Sequence, residues 1–148
     1  MPGPVGMESK KELWVGPWFT DYGAGPFNTI AEMEAWFNRK LEICQDLRQC
    51  AESVPPFRFR RLVLTHDDIA PRNLILRPDR KVWLIDWGDF GIYPVGMDAA
   101  TLSLIRRRAP DFTDLLLEKI QRHEVFSRQL QSIMYGLTTG AMIDRFDD

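Results

Sequence analysis

The chain has 148 residues, 45% of them hydrophobic and 27% charged, with a formal net charge of −2. That is the make-up of one globular domain with room for a core, and the near-neutral charge gives no general reason to expect nucleic acid or an acidic membrane as partner. An aromatic share of 11%, including five Trp, argues against disorder, and no apolar run has the length of a signal peptide or a membrane span. Cys44 and Cys50 lie about 240° apart around a helix and so face apart, which suits free thiols in a reducing compartment. A cytoplasmic protein is the default reading.

Residues 1–28 are rich in Gly and Pro, with Trp14, Trp18 and Phe19 scattered among them, and read as an irregular, extended lead-in. The stretch "FNTIAEMEAWFNRKLEICQDLRQC", 27–50, then reads as a helix. Thr29 with Glu32 three residues on forms a capping box, and Ile30, Met33, Phe37, Leu41, Cys44 and Leu47 follow the spacing of one apolar face. The proline pair in "AESVPPF" cannot continue it. From Arg58 the period changes. "RRLVLTH" reads as a strand, and "NLILRPDRKVWLID" as a hairpin whose turn is "RPDR". Beyond the loop "GDFGIYPVG" three helices are expected, in "DAATLSLIRRR", "DFTDLLLEKIQRH" and "VFSRQLQSIMYGLTTGAMI". The run Arg106–Arg108 reads as solvated surface, and His123 as a surface residue near a helix end.

Two polar clusters stand on this frame. The first is H-x-D-x-x-x-x-N, His66, Asp68 and Asn73. The second is Asp86, directly after the apolar strand of "KVWLID". Antiparallel pairing of the hairpin brings Asn73 and Asp86 side by side at one end, with Asp68 on the loop leading in. An Asn oxygen next to a carboxylate is a hard oxygen site suited to Mg²⁺, which also needs phosphate oxygens to fill its shell. A separate Asp is then free to orient a substrate hydroxyl and accept its proton. Those are the parts of phosphoryl transfer from ATP. A metal-dependent phosphohydrolase of the His-Asp type needs more His ligands than His66 and His123 supply.

The segment "THDDIAPRNLIL…VWLIDWGDFGIYP" resembles the catalytic segment of the aminoglycoside phosphotransferase and choline kinase-like family, a branch of the protein-kinase-like fold. With "FTDYGAGPF" added, the pattern is similar to fungal phosphotransferase-like proteins from about Leu13 to Ile143. The resemblance implies an α+β fold: a protein-kinase-like C-terminal lobe at 29–148, mainly helical, with a small β-hairpin carrying the site. It implies ATP and Mg²⁺ as cofactors and a small-molecule hydroxyl as acceptor. Asp68 matches the catalytic Asp, Asn73 and Asp86 the metal ligands, and His66 a His that supports the loop. Ile75 and Ile85 match the apolar residues under the adenine ring. The "DFG" at Asp89–Gly91 falls three residues too late to be the metal-binding Asp.

Two departures matter. The family most often has Gly where this chain has Asp67, a carboxylate that either raises the pKa of Asp68 or points outward. The N-terminal lobe, with its phosphate-covering loop and strand Lys, has no counterpart. "DYGAGPF" follows no strand pattern, and Lys10, Lys11, Lys40, Lys81 and Lys119 all lie outside strands of the required type. Two readings stay open: a phosphotransferase represented by its catalytic lobe, or a non-catalytic relative acting as a binding or interaction module. Without a first lobe, Ile75, Ile85, Trp14, Trp18 and Phe19 should be bare, leading to self-association or to the lead-in folding back over the cleft.

Overall fold

In the computed structural model, which describes residues 1–5, 13–14 and 16–143, the first helix is α1, Ile30–Asp46. (Lys10 and Lys11 lie outside the described residues.) Its start is built by the capping box. Thr29 Oγ1 accepts the Glu32 N–H at 3.1 Å, and the Glu32 carboxylate turns back to accept the Asn28 N–H at 2.7 Å. Its end comes at Asp46 rather than at the expected Cys50. Arg48 takes a left-handed φ of 54°, and the Gln45 side-chain amide donates to the carbonyls of Ala51, Glu52 and Val54. A side chain gathering turn carbonyls stops the helix before the prolines do. Ile30 and Leu47, at its two ends, are consequently exposed, while Met33, Phe37, Leu41 and Cys44 are buried.

The lead-in departs most from expectation. Trp14, Trp18 and Phe19 are not bare: they are 4%, 0% and 4% exposed, inside the same core as Met33 and Phe37 of α1. Trp14 meets Phe27, Phe19 and Tyr93 with ring centroids 4.8–5.9 Å apart, in edge-to-face geometry. Rings of this size remove enough apolar surface from water to hold an irregular segment in place. Strand β1, Gly3–Pro4, pairs antiparallel with β5, Gly91–Pro94, which pairs in turn with β2, Leu62–Thr65. The sheet order is β1-β5-β2.

The hairpin forms as expected, from β3, Leu74–Leu76, and β4, Val82–Leu84. Its register pairs Leu74 with Leu84 and Ile75 with Trp83. Arg77 N–H closes the turn on Lys81 O at 2.9 Å.

Helices α2, Met97–Ile105, and α3, Pro110–Lys119, follow. The single helix expected over 125–143 divides into α4, Glu124–Ser132, and α5, Met134–Leu137. The break lets α5 meet α1 closely: Gly136 N–H donates to Cys44 Sγ, and a Cβ at Gly136 would sit 3.2 Å from both that sulfur and Lys40 O. Among the described residues no helix is long and apolar enough to cross a membrane. Mixed helices with small antiparallel sheets make the fold α+β.

After the turns at 47–54 the chain runs extended over 55–61, and α1 fixes it. Asn38 accepts the Phe57 N–H at 2.7 Å and donates to Phe57 O at 3.1 Å, and Glu34 accepts the Phe59 N–H at 2.7 Å. This docking sets where β2, and so the loop after it, begins. Asn38→Ala leaves both polar groups of a buried residue unpaired. The expected loss is about 1–3 kcal/mol, read from the urea midpoint at unchanged slope.

Candidate active site

Strand β2 ends at Thr65, and the next two residues are drawn inward. Asp98, in the first turn of α2, accepts the Asp67 N–H on Oδ1 at 2.8 Å and the His66 N–H on Oδ2 at 3.4 Å. Burial pushes the Asp98 carboxyl above its ordinary range, and those backbone donors oppose the push. His66 is buried. Its Nδ1 accepts the Asp68 N–H at 3.2 Å, so Nε2 carries the hydrogen and donates to Ile85 O at 3.0 Å. One imidazole thereby ties the loop to the end of β4.

Asp68 is half-buried, and both its carboxylate oxygens are engaged. Oδ2 accepts from Asn73 Nδ2 at 2.8 Å, and Oδ1 faces Arg72, whose side chain is 61% exposed. Asn73 Nδ2 also donates to Asp68 O at 2.8 Å. With its amide nitrogen so used, Asn73 presents Oδ1. Among the described residues that oxygen has no hydrogen-bond partner, on a side chain that is itself buried. Asn73 closes a short 3-10 turn, Pro71–Asn73, and Ile85 N–H donates to Asn73 O at 2.9 Å. Ile85, not Asp86, is therefore opposite Asn73. Asp86 lies one step further along, exposed, with a left-handed φ of 60° that breaks the strand's alternation. The expected side-by-side placement becomes a diagonal one.

Asn73, Ile75, Trp83 and Ile85 share one face of the hairpin by its register. Ile75 and Ile85 are 45% and 37% exposed. Arg77 stacks on the Trp83 ring at 4.7 Å. Among the described residues, no three His, Cys, Asp or Glu side chains are grouped to hold a metal on their own.

Asp67 does not point outward. It is 1% exposed, in a left-handed conformation with φ 62°. Asp tolerates that region better than most side chains, though less freely than glycine. Its Oδ1 accepts from Thr101 Oγ1 of α2 at 2.6 Å, and Thr101 Oγ1 accepts from Trp18 Nε1 of the lead-in at 2.8 Å. Burial raises the Asp67 carboxyl to about 7, the Thr101 bond opposes the rise, and the charges of Asp98, Asp89 and Asp68 add to it. Asp89 is also raised, by burial first and then by Asp68 and Asp86. The residue set aside in "DFG" thus feels the same acidic cluster. Sequence reasoning missed Asp67, Asp98 and Thr101 as a unit because Asp67 lies 31 and 34 residues from the other two in the chain. The local signal for Asp67 was a carboxylate standing at a glycine position.

A carboxyl that titrates near 7 when folded and near 3.8 when unfolded binds its proton more tightly in the folded state. Its contribution to stability is present below about pH 4 and is lost as pH climbs through about 7. The loss is on the order of 4 kcal/mol. Asp67→Asn keeps the shape and the backbone conformation but cannot titrate. The variant should gain on the wild type by several kcal/mol between pH 4.5 and pH 8 in denaturant titrations. An unchanged gap would contradict the burial argument.

The model of the phosphotransferase enzyme family matches residues 20–129, which include His66, Asp68, Asn73, Asp86 and Asp98. No curated protein and no solved structure matches the chain. A match over most of the chain, spanning the whole of the loop and hairpin just described, agrees with the resemblance to aminoglycoside phosphotransferases and choline kinase-like proteins: the chain belongs to the phosphotransferase enzyme family.

Proposed function

We propose that this chain provides the acceptor and metal side of an ATP-dependent phosphotransferase site, on a protein-kinase-like C-terminal lobe formed by residues 29–148. One observation supports this reading: Asp68 and Asn73 are hydrogen-bonded to each other, and Asp86 directly follows Ile85, whose N–H donates to Asn73 O. The donor set fits Mg²⁺, since Asn73 offers an amide oxygen without a partner among the described residues and Asp86 an exposed carboxylate, both hard oxygens. Ile75 and Ile85 offer an apolar platform for the adenine. When bound, MgATP supplies the phosphoryl group and shields its charge.

The chain's own residues do the rest. Asp68 orients the acceptor hydroxyl and takes its proton. The Arg72 contact does not prevent this, because an exposed ion pair contributes at most about 1 kcal/mol and yields to a substrate hydroxyl. Asn73 holds the Asp68 carboxylate from one side. His66 and Asp98 are supports that keep the loop at one distance from the hairpin. The acceptor is a small molecule bearing a hydroxyl.

A second reading, a kinase-like relative acting as a binding module, is favoured by the lysines. Among the described residues Lys40 lies buried in α1, Lys81 directly precedes β4 and Lys119 ends α3, so none stands in a strand where it could pair with phosphates. Under that reading the exposed Ile75, Trp83 and Ile85 are a contact face through which the chain self-associates.

Two measurements test these statements. With only Asn73 and Asp86 as protein ligands, Mg²⁺ should bind weakly without nucleotide. Mn²⁺ in its place should broaden NMR signals of the Asn73 side-chain amide and of residues 86–88, and Asp86→Asn should abolish this. Tight binding by calorimetry, or broadening centred elsewhere, would remove the metal assignment. Phosphoryl transfer depends on positioning and charge stabilisation. Transfer from radiolabelled ATP to amino-alcohols and sugars by this chain alone should therefore stay near background. Robust turnover lost in Asp68→Asn would favour the catalytic reading over the binding module.

A further inference from the structure

The extended segment 55–61 and the start of α4 border an open groove of about 580 Å³, on a different set of residues from the loop and hairpin. Its lining carries Arg58, Arg60, Arg61 and Arg122, and one carboxylate, Glu124, which is already paired with Arg128 at 3.6 Å. Four Arg against one Glu give a local charge of +3 on a chain whose total is −2, so the remainder carries −5. Arg60 and Arg61 are exposed and have no carboxylate within ion-pair range among the described residues. Arg58 meets Glu34 only at 3.6 Å, and Arg122 Nε donates to Leu117 O. The apolar part of the lining includes Phe59 and Phe126, whose rings are 6.0 Å apart and half-buried.

The backbone adds a second feature. Asn38 and Glu34 take the N–H groups of Phe57 and Phe59 on the α1 side. The N–H groups of Arg58 and Arg60, which alternate with these, have no partner among the described residues. Arg58 and Arg60 stand two residues apart on an extended stretch, about 7 Å. Carboxylates at alternate positions of a second extended chain have the same spacing. Free main-chain donors and acceptors along such an edge are what an added strand uses, with side-chain pockets setting the choice. Guanidinium groups left without partners supply strong bonds to carboxylates.

The geometry points to a peptide-binding groove: it takes an acidic polypeptide segment in extended form, its carboxylates on Arg58, Arg60, Arg61 and Arg122 and one apolar side chain on the Phe59–Phe126 floor. Nucleic acid is the poorer occupant: the local charge of +3 suits a short acidic segment, whereas a long polyanion runs on past the groove onto a remainder that carries −5. The site does not depend on Asp68 or on phosphoryl transfer.

Fluorescence anisotropy on the full chain tests it. The probes are a labelled heptapeptide with Glu at alternate positions, Ser between them and one central Phe, the same peptide with Lys for each acid, and a labelled single-stranded oligo-dA. The acidic peptide should bind at least tenfold more tightly than either control, and weaken as salt is raised from 50 to 300 mM. Arg60→Glu with Arg61→Glu, both on the surface, should weaken it at least tenfold with the circular dichroism spectrum unchanged. Arg122→Gln should weaken it several-fold, and Asp68→Asn should not change it. Equal affinity for the acidic and basic peptides, tighter binding of oligo-dA, or an unaltered affinity in the double variant would each overturn the assignment.

Discussion

The corner formed by the loop after β2 and the hairpin rests on one carboxylate, that of Asp98. Asp98 receives the N–H groups of both His66 and Asp67 at the point where β2 gives way to the loop. Buried backbone donors are costly when unpaired, so a loop that leaves its sheet and turns inward needs such an acceptor. Because Asp98 lies in the first turn of α2, the bond also fixes the helix to the loop. Everything after it inherits that position. His66 reaches Ile85, Asp68 turns to Asn73, and Asn73 O takes the Ile85 N–H that ends the hairpin.

The lead-in is tied into the same corner from the other side. Trp18 reaches Thr101, and Thr101 reaches Asp67, so a segment far from the loop in sequence shares its hydrogen-bond network. The aromatic rings of that segment are core rather than cover. Trp14 and Phe19 pack against Tyr93 of β5 and, through Phe37, against α1. Burial of these rings and the hydrogen bonds of the loop therefore reinforce each other. A buried Asp held among other carboxylates is the cost of this arrangement at neutral pH.

Charge is distributed unevenly for a chain so near neutral. Asp67, Asp68, Asp86, Asp89 and Asp98 influence one another around the loop, while four Arg line the groove by α4. Segregation of this kind favours a cation on one side and an anionic group on the other. It does so without changing the net charge, which is why composition alone carried no sign of it.

Several features were legible in the sequence because they are local. The capping box at Thr29 and Glu32, the hairpin turn after Leu76, and the spacing of His66, Asp68 and Asn73 all depend on neighbours within a few residues. The family, likewise, could be read from one short segment. Tertiary structure decided what depends on distant partners. The end of α1 was set by Gln45 reaching forward to the turn carbonyls, ahead of the prolines. Asp86 falls one step past Asn73, which pairs with Ile85, and takes a left-handed φ there, since strand pairing fixes opposition but not where a strand's twist breaks. Trp14, Trp18 and Phe19 were expected bare and are buried, because an irregular segment has no period from which a buried face could be read. Asp67 looked like a neighbour of Asp68 and is instead a partner of Thr101 and, through it, of Trp18. Sequence order determines which residues can repeat or turn together; only the closed chain brings Asp98, Thr101 and Trp18 to the loop, by burial and hydrogen bonds that have no sequence period.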